Sequence, residues 1–544
     1  MNAILRFLTV CMFCMGLAQG QQKKPNILFI FSDDHAYQAI GAYGNKLVQT
    51  PHIDRIAKEG AVFEQFMVTK SICGPSRANL LTGKYSHKNG FMDNEGNFNI
   101  NQQVLSRLLQ QADYETAWIG KWHLGTLPGD AFNYWHILPN QGYYYNPDFI
   151  NAQHDTSRYE GYVTDIITQL STAWLDERPK DKPFFLVIGE KATHREWLPA
   201  IEDLGAYDAV NFPLPATFYD DYQGRKAAGD QDMTIEKSMR LADDLKVHAK
   251  FGLTEAIMQE RLTTIRNRGG QQRTLSVEEE QQLRKEINEG MYARLNPEQA
   301  ASVQRYYDKI TAEFEALKPE AKALTEWKYQ RYMKDYLATA NSLDRNIGKI
   351  LDYLDKHGLA ENTIVIYGSD QGFYLGEHGW FDKRFIYQES LRTPFLIRYP
   401  GVVKPGTRIG QQLLNIDWAP TLLEIAGLSV PSDIQGQSFL SLLHKPQQTK
   451  PFRKASYYHY YEFPHPHHVS PHFGITTERF KLVRFYKGQE AWELYDLKKD
   501  PLELHNQIAN KKYAKQIIQL KQWLAEACEQ YDDQLAAGIL KQQL

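Results

Sequence analysis

Several short, predominantly apolar runs constrain this chain more than any other feature. They are NILFIF (26–31), TAWIG (116–120), FFLVIG (184–189), TIVIYGS (363–369) and PFLIRY (394–399), each ended by polar or glycine residues. A run without polar alternation suits a strand buried on both faces. Helical patterns separate the runs. One is VLSRLLQQA (104–112); a longer one crosses 332–358, with Leu337, Leu343, Ile347, Ile350, Leu351 and Leu354 on one stripe and Gly358 closing it. The alternation predicts an α/β chain with a large, mostly parallel sheet flanked by helices.

Four of the runs lead straight into polar clusters: Ser32, Asp33 and Asp34; Lys121 and His123 around Trp122; Glu190 to His194; Asp370 and Gln371 before Gly372. In open α/β sheets ligands bind outside the carboxyl ends of the strands, so the clusters can converge on one site. Each also has a plainer explanation. Asp33 and Asp34 could cap the next helix, and Asp370 and Gln371 could form a turn. Taken together, three carboxylates and an amide carbonyl make an all-oxygen set suited to a hard divalent cation, Ca²⁺ or Mg²⁺. Histidines and lysines beside such a cation offer charge stabilisation and proton transfer to an anionic ester.

The segment SICGPSRANLLTGKY (71–85) adds a cysteine. Pro75 stands at a plausible helix start, Arg77 in its first turn, and Gly83 at its end. Cys73 thus sits where a helix dipole welcomes an anion, and the Arg77 fork can meet ester oxygens. A thiolate nonetheless suits softer metals and electrophiles than this oxygen-rich surrounding. The formal net charge of -3 gives bulk electrostatics no pull on nucleic acid, so anion recognition must be local.

Residues 1–20 read as a signal peptide: Arg6, an apolar run over 7–18 too short for a bilayer, and small residues ending at Gly20. A periplasmic or secreted protein without a membrane span is expected. Cys73 and Cys528 then remain, as a disulfide or as two free thiols. Residues 227–325, rich in Glu, Gln, Lys and Arg, read as a helical insertion broken at RNRGGQQR and LNPEQ, within a main domain of 21–450. Residues 451–544 read as a smaller α+β subdomain.

At Cys73-Gly-Pro-Ser-Arg77 the chain resembles the type I sulfatases, whose C-x-P-S-R signature precedes LLTGKY. PNILFIFSDDHAYQAIGAYG, GKWHLG, SDQGFYLGEHGWFDKRFIYQESLRTPFLIRYPG and LYDLKKDPLELHNQ carry the resemblance through most of the chain. It implies an alkaline-phosphatase-like sandwich with a large mixed sheet and a smaller C-terminal α+β subdomain. It also implies that a formylglycine-generating maturation enzyme oxidises Cys73 to formylglycine (3-oxoalanine), whose hydrate is the nucleophile. The implied cation ligands are Asp33, Asp34, Asp370, Gln371 and residue 73, with Ca²⁺ usual. Gln371 stands where many members have Asn, and keeps the carbonyl. Arg77 and Lys121 would hold residue 73 and the sulfate, and His123 would take a proton as the aldehyde reforms. His194 and Lys383 would bind sulfate and protonate the leaving oxygen. Thr193 replaces a commoner Pro beside Lys191, a further substrate-binding candidate.

The stretches around 132–150 and 471–486 are similar to bacterial N-acetylglucosamine-6-O-sulfatases, so a sulfated carbohydrate is the expected substrate. Other sulfated sugars, a phosphodiester or phosphonate ester, and a non-catalytic glycan-binding role stay open. The histidines at 459, 465, 467, 468 and 472 suggest a second metal site, a surface loop or a substrate lip, with His472 and Arg479 as candidate contacts.

Overall fold

The computed structural model describes residues 24–46, 48–266, 275–288, 290 and 292–542. The signal-like segment 1–20 and most of RNRGGQQR lie outside the described residues. The NILFIF run becomes β1 (Asn26–Ser32), buried at every position, in the interior of a ten-stranded sheet. Its neighbours are β7 (Phe184–Gly189) and β8 (Thr363–Ser369), both parallel to it. Beyond β7 come β3 (Glu115–Lys121) and β4 (Tyr134–Leu138), again parallel. Four of these five parallel strands are apolar runs of the sequence; β4 is not among them, and the fifth run, PFLIRY, forms the antiparallel strand Phe395–Arg398 instead.

The margins make the sheet mixed. β9 (Phe395–Arg398) runs antiparallel to β8 and to β2 (Ala61–Met67), and β10 (Thr407–Leu414) pairs parallel with β2. On the far side β5 (Asp148–Asn151) and β6 (Thr156–Arg158) add antiparallel strands. Alternate β1 side chains enter different cores. Ile27, Phe29 and Phe31 pack with residues of helices Leu105–Gln111 and Trp418–Ile425. Leu28 and Ile30 pack with the helices Pro51–Lys58, Val163–Glu177 and Ala321–Lys356. Helices on both faces follow from strands that are apolar on both faces.

Between β7 and β8 the described chain has helices and loops without a strand of the sheet. They include Glu255–Arg266, Val277–Asn288 and Pro297–Leu317, the last opened by an Asn296–Gln299 capping box with Pro297 first, so LNPEQ is a helix start. A second, antiparallel sheet holds β11 (Ser456–Tyr460), β12 (His472–Thr476), β13 (Phe480–Phe485) and β14 (Ala491–Asp496) in sequence order. Helix Ala514–Gln530 packs on it. Among the described residues no helix is long and apolar enough to cross a membrane.

Candidate active site

Strand register brings the polar clusters to one edge. Ser32 pairs with Ser369, Phe31 with Gly189 and Gly189 with Gly120, so the residues that follow are neighbours at the carboxyl ends. Main-chain bonds lock the turns together: Asp33 N–H donates to Ala192 O at 3.1 Å, and Asp370 N–H to Ser32 O at 3.2 Å.

Cys73 opens the helix Cys73–Thr82, which Gly83 ends in the left-handed region at φ 65°. Gly74, the residue after Cys73, is packed too closely to take a side chain unless its neighbours shift. A Cβ on Gly74 would stand 2.8 Å from Asn94 Oδ1, His123 O and Phe91 Cε1. Burial pushes the Cys73 thiol well up, so it is protonated at neutral pH and unsuited to act as a thiolate. Cys73 and Cys528 are both free, which rules out the disulfide between them.

Around Cys73 stand three carboxylates and three cations, all buried. Arg77 holds Asp370 Oδ2 from Nε at 3.1 Å and Nη2 at 3.0 Å, and its Nη1 donates to Lys121 O at 2.9 Å. Lys121 Nζ donates to Asp33. Lys383 Nζ meets both oxygens of Asp34, at 2.7 and 2.8 Å. Gln371 Nε2 donates to Asp34 Oδ1 at 2.5 Å and lies 3.6 Å from Cys73 Sγ. Burial pushes Asp370 up to about 7 and raises Asp34 too; Asp33 is also desolvated, yet Lys121, His194, Arg77 and Lys383 pull it well below the usual range.

One ligand atom each from Asp33, Asp34, Cys73 and His194 lie within 4.8 Å of one another. Asp33 Oδ1 and Gln371 Oε1 are buried without a hydrogen-bond partner. Oxygens with unmet lone pairs, in a set of carboxylates and an amide, fit a hard divalent cation. With the three carboxylates matched by three side-chain cations, such an ion leaves the site positive, as an anionic ester requires.

The outer ring is formed by His123, His194, Lys191 and Gln141. Burial, with Lys121 next, holds both histidines well below the ordinary imidazole range. His194 Nδ1 lies 2.6 Å from Arg195 O; a carbonyl can only accept, so this nitrogen carries the proton and Nε2 is left free. Lys191 donates to Gln141 O at 3.2 Å and sits 4.7 Å from the Tyr144 ring centre; burial brings its amine down to about 8.

One expected contact is corrected. His472 has no exposed surface, and both ring nitrogens are used: Nε2 accepts from Ile386 N–H at 3.1 Å and Nδ1 donates to Ser470 O at 2.8 Å. The Arg479 guanidinium is held by Asp496 at 2.9 and 3.1 Å. His472 has no polar atom left for a substrate, whereas the Arg479 side chain is 45% exposed and keeps donors beyond the Asp496 pair. The histidine-rich segment divides likewise. His459 is bound to Asp533 and Tyr486 inside the second sheet's core, and His467 lies 3.4 Å from Asp382. Among the described residues these histidines form no metal-ligand group.

Sequence reading missed Gln141, Asn94, Asp382 and Arg384. Asn94 accepts from Gly74 N–H at 3.1 Å, and Arg384 pairs with Asp382 and Glu462 beside Lys383. For Asp382 and Arg384 a signal existed, since they flank Lys383; for Gln141 and Asn94 there was none.

A sulfatase family model matches residues 25–428, and a model of the C-terminal region of N-sulphoglucosamine sulphohydrolase matches 376–530. The chain is 45% identical over 526 residues to an N-acetylglucosamine-6-O-sulfatase of Bacteroides thetaiotaomicron, covering 96% of this chain and 89% of that protein. A solved protein, in complex with its substrate D-glucosamine-2-N,6-O-disulfate, superposes with a TM-score of 0.86 at 45% identity, over 94% of this chain and 99% of that one. A phosphonate monoester hydrolase of Agrobacterium radiobacter shares the fold, with a TM-score of 0.61 at 17% identity over 93% of this chain and 96% of that one. The match along most of the chain, to a family model and to a relative of nearly its full length, places the chain in the sulfatase family, as a hydrolase of sulfate esters.

Proposed function

We propose that the chain removes the 6-O-sulfate of N-acetylglucosamine in host glycosaminoglycans or mucin glycans. The observation that carries this reading is the 45% identity, across 96% of the chain, to a sulfatase of that specificity. The 6-O-sulfated glucosamine bound by the superposable protein supports it. The signal-like segment 1–20 supports a periplasmic or secreted location, where such glycans are met.

Asp33, Asp34, Asp370, Gln371 and residue 73 would hold the cation. Ca²⁺ suits them better than Mg²⁺, because it accepts many oxygen ligands in loose geometry, and it would neutralise charge on the sulfate. Residue 73, once a separate maturation enzyme has made it formylglycine, supplies a hydroxyl nucleophile. Around it Arg77 and Lys121 set positive charge against the sulfate oxygens. Lys383, held charged by Asp34, and His194, with Nε2 free, are placed to bind sulfate and return a proton to the sugar oxygen. Lys191 adds a cation at the outer ring. His123 accepts the proton that must leave residue 73 when sulfate departs.

The test is sulfate release from N-acetylglucosamine 6-sulfate by protein whose residue 73 is verified as formylglycine by peptide mass, with Cys73→Ala as control. Release by the matured protein alone supports the substrate. No release from it, with turnover of a galactose, fucose or uronate sulfate or of a phosphodiester, overturns it.

A further inference from the structure

Gln141, half-buried beyond β4, touches three of the site's side chains. Its Oε1 accepts from Lys121 Nζ, its Nε2 lies 3.0 Å from His123 Nε2, and its main-chain carbonyl accepts from Lys191 Nζ at 3.2 Å. An ammonium has three donors and no lone pair, so the amide atom that faces Lys121 must be oxygen. The amide NH₂ therefore faces His123, and an amide nitrogen cannot accept. His123 Nε2 is then the acceptor, which makes the ring neutral with its proton on Nδ1. An imidazolium would set N–H against N–H at this contact.

The charged groups around His123 are Lys121, Arg77 and Lys383, which oppose a protonated ring, and Asp33, which favours it. Lys121 is itself fixed by Asp33, so the orientation of the amide is dictated by a buried ion pair rather than by solvent.

We infer that Gln141 is a positioning residue, whose side-chain amide couples Lys121 to His123 and keeps the imidazole neutral with Nε2 as its single acceptor. The inference rests on the proton-accepting role proposed above for His123. The amide and the hydroxyl that gives up its proton contend for one lone pair. A neutral amide hydrogen bond is weak enough in net terms to be exchanged, so Gln141 guards the lone pair without blocking it.

Gln141→Met keeps the length of the side chain and removes both polar atoms; Gln141→Glu places a carboxylate where the NH₂ stood. Two measurements decide. Steady-state kinetics of the matured enzymes should show kcat for Gln141→Met down by about ten- to a hundredfold with KM within about threefold. Deuterium exchange at the His123 imidazole C2, followed by peptide mass in the resting protein, reads its titration without turnover. Its midpoint should rise in Gln141→Met, and by about one pH unit or more in Gln141→Glu, whose acid limb of kcat should move with it. A wild-type kcat in Gln141→Met, or a His123 midpoint unmoved in both variants, overturns the inference. If wild-type enzyme fails to turn over the sugar sulfate, the substrate proposal falls, and the exchange midpoints still decide this one.

Discussion

Arg77 and Asp370 meet with neither side chain exposed, two guanidinium nitrogens lying 3.0 and 3.1 Å from one carboxylate oxygen. The pair ties the helix that begins at Cys73 to the end of β8, and the Ser76 hydroxyl adds a bond to the Asp370 carbonyl. The position of residue 73 relative to the carboxylates is thus tied by a buried ion pair and a hydroxyl bond.

Removing one partner of a buried pair leaves the other charge uncompensated, at a cost of about 3–5 kcal/mol. Arg77→Ala should lower unfolding stability by about that amount, and Arg77→Lys, which keeps the charge without the fork, should recover part of it. Urea unfolding of the three proteins checks this. An Ala variant within about 1 kcal/mol of the parent would show that the pair does not anchor the helix.

Cation removal should be visible in stability before it is visible in rate. A cation bound only by the folded chain adds about 2.7 kcal/mol at a hundredfold excess over its Kd. Melting in chelator, then in added Ca²⁺ or Mg²⁺, should give an upward shift that is larger for Ca²⁺ and absent in Asp34→Ala. A shift that survives in that variant would place the ion elsewhere.

Lys383→Gln should separate binding from chemistry. The change removes a buried cation that competes for Asp34, so the Ca²⁺-dependent melting shift should persist or grow. Loss of a charge aimed at the sulfate should lower kcat by about a hundred- to a thousandfold. Unchanged kcat in a matured Lys383→Gln enzyme would remove the residue from the reaction.

Glu493 gives a pH signature away from the site. It is fully buried, its Oε2 accepts from Tyr387 and Tyr495 hydroxyls at 2.9 and 2.7 Å, and burial pushes it up to about 7. A carboxyl whose folded value lies above its unfolded one binds its proton more tightly in the folded state. Its contribution is full below about 4.5 and is lost as pH rises to about 7, by an amount on the order of 3 kcal/mol. Glu493→Gln should flatten the fall in unfolding midpoint between pH 5 and 7. A slope equal to the parent's would show that Glu493 is already charged when folded.

Four central strands of the sheet were legible because a strand buried on both faces is written as a predominantly apolar run, and Asp33, Lys121 and Asp370 could be placed by following each run to its end. The short marginal strands were not. Every residue of β6 is exposed, so no hydrophobic pattern marks it. His472 misled for a related reason: residue type suggested substrate, while its actual partners, Ile386 and Ser470, follow from the packing of the second sheet.

By itself the sequence determined the class of fold, the strand ends that carry polar clusters, and the cysteine signature at residue 73, since all are local patterns of side-chain polarity. Only the tertiary structure decided which charges neutralise one another and which stay available. Arg77 and Asp370 are 293 positions apart, and Gln141 meets Lys121 and His123 across the crossover between the parallel strands β3 and β4. Such pairings depend on strand register and on exclusion of water, which no local pattern encodes.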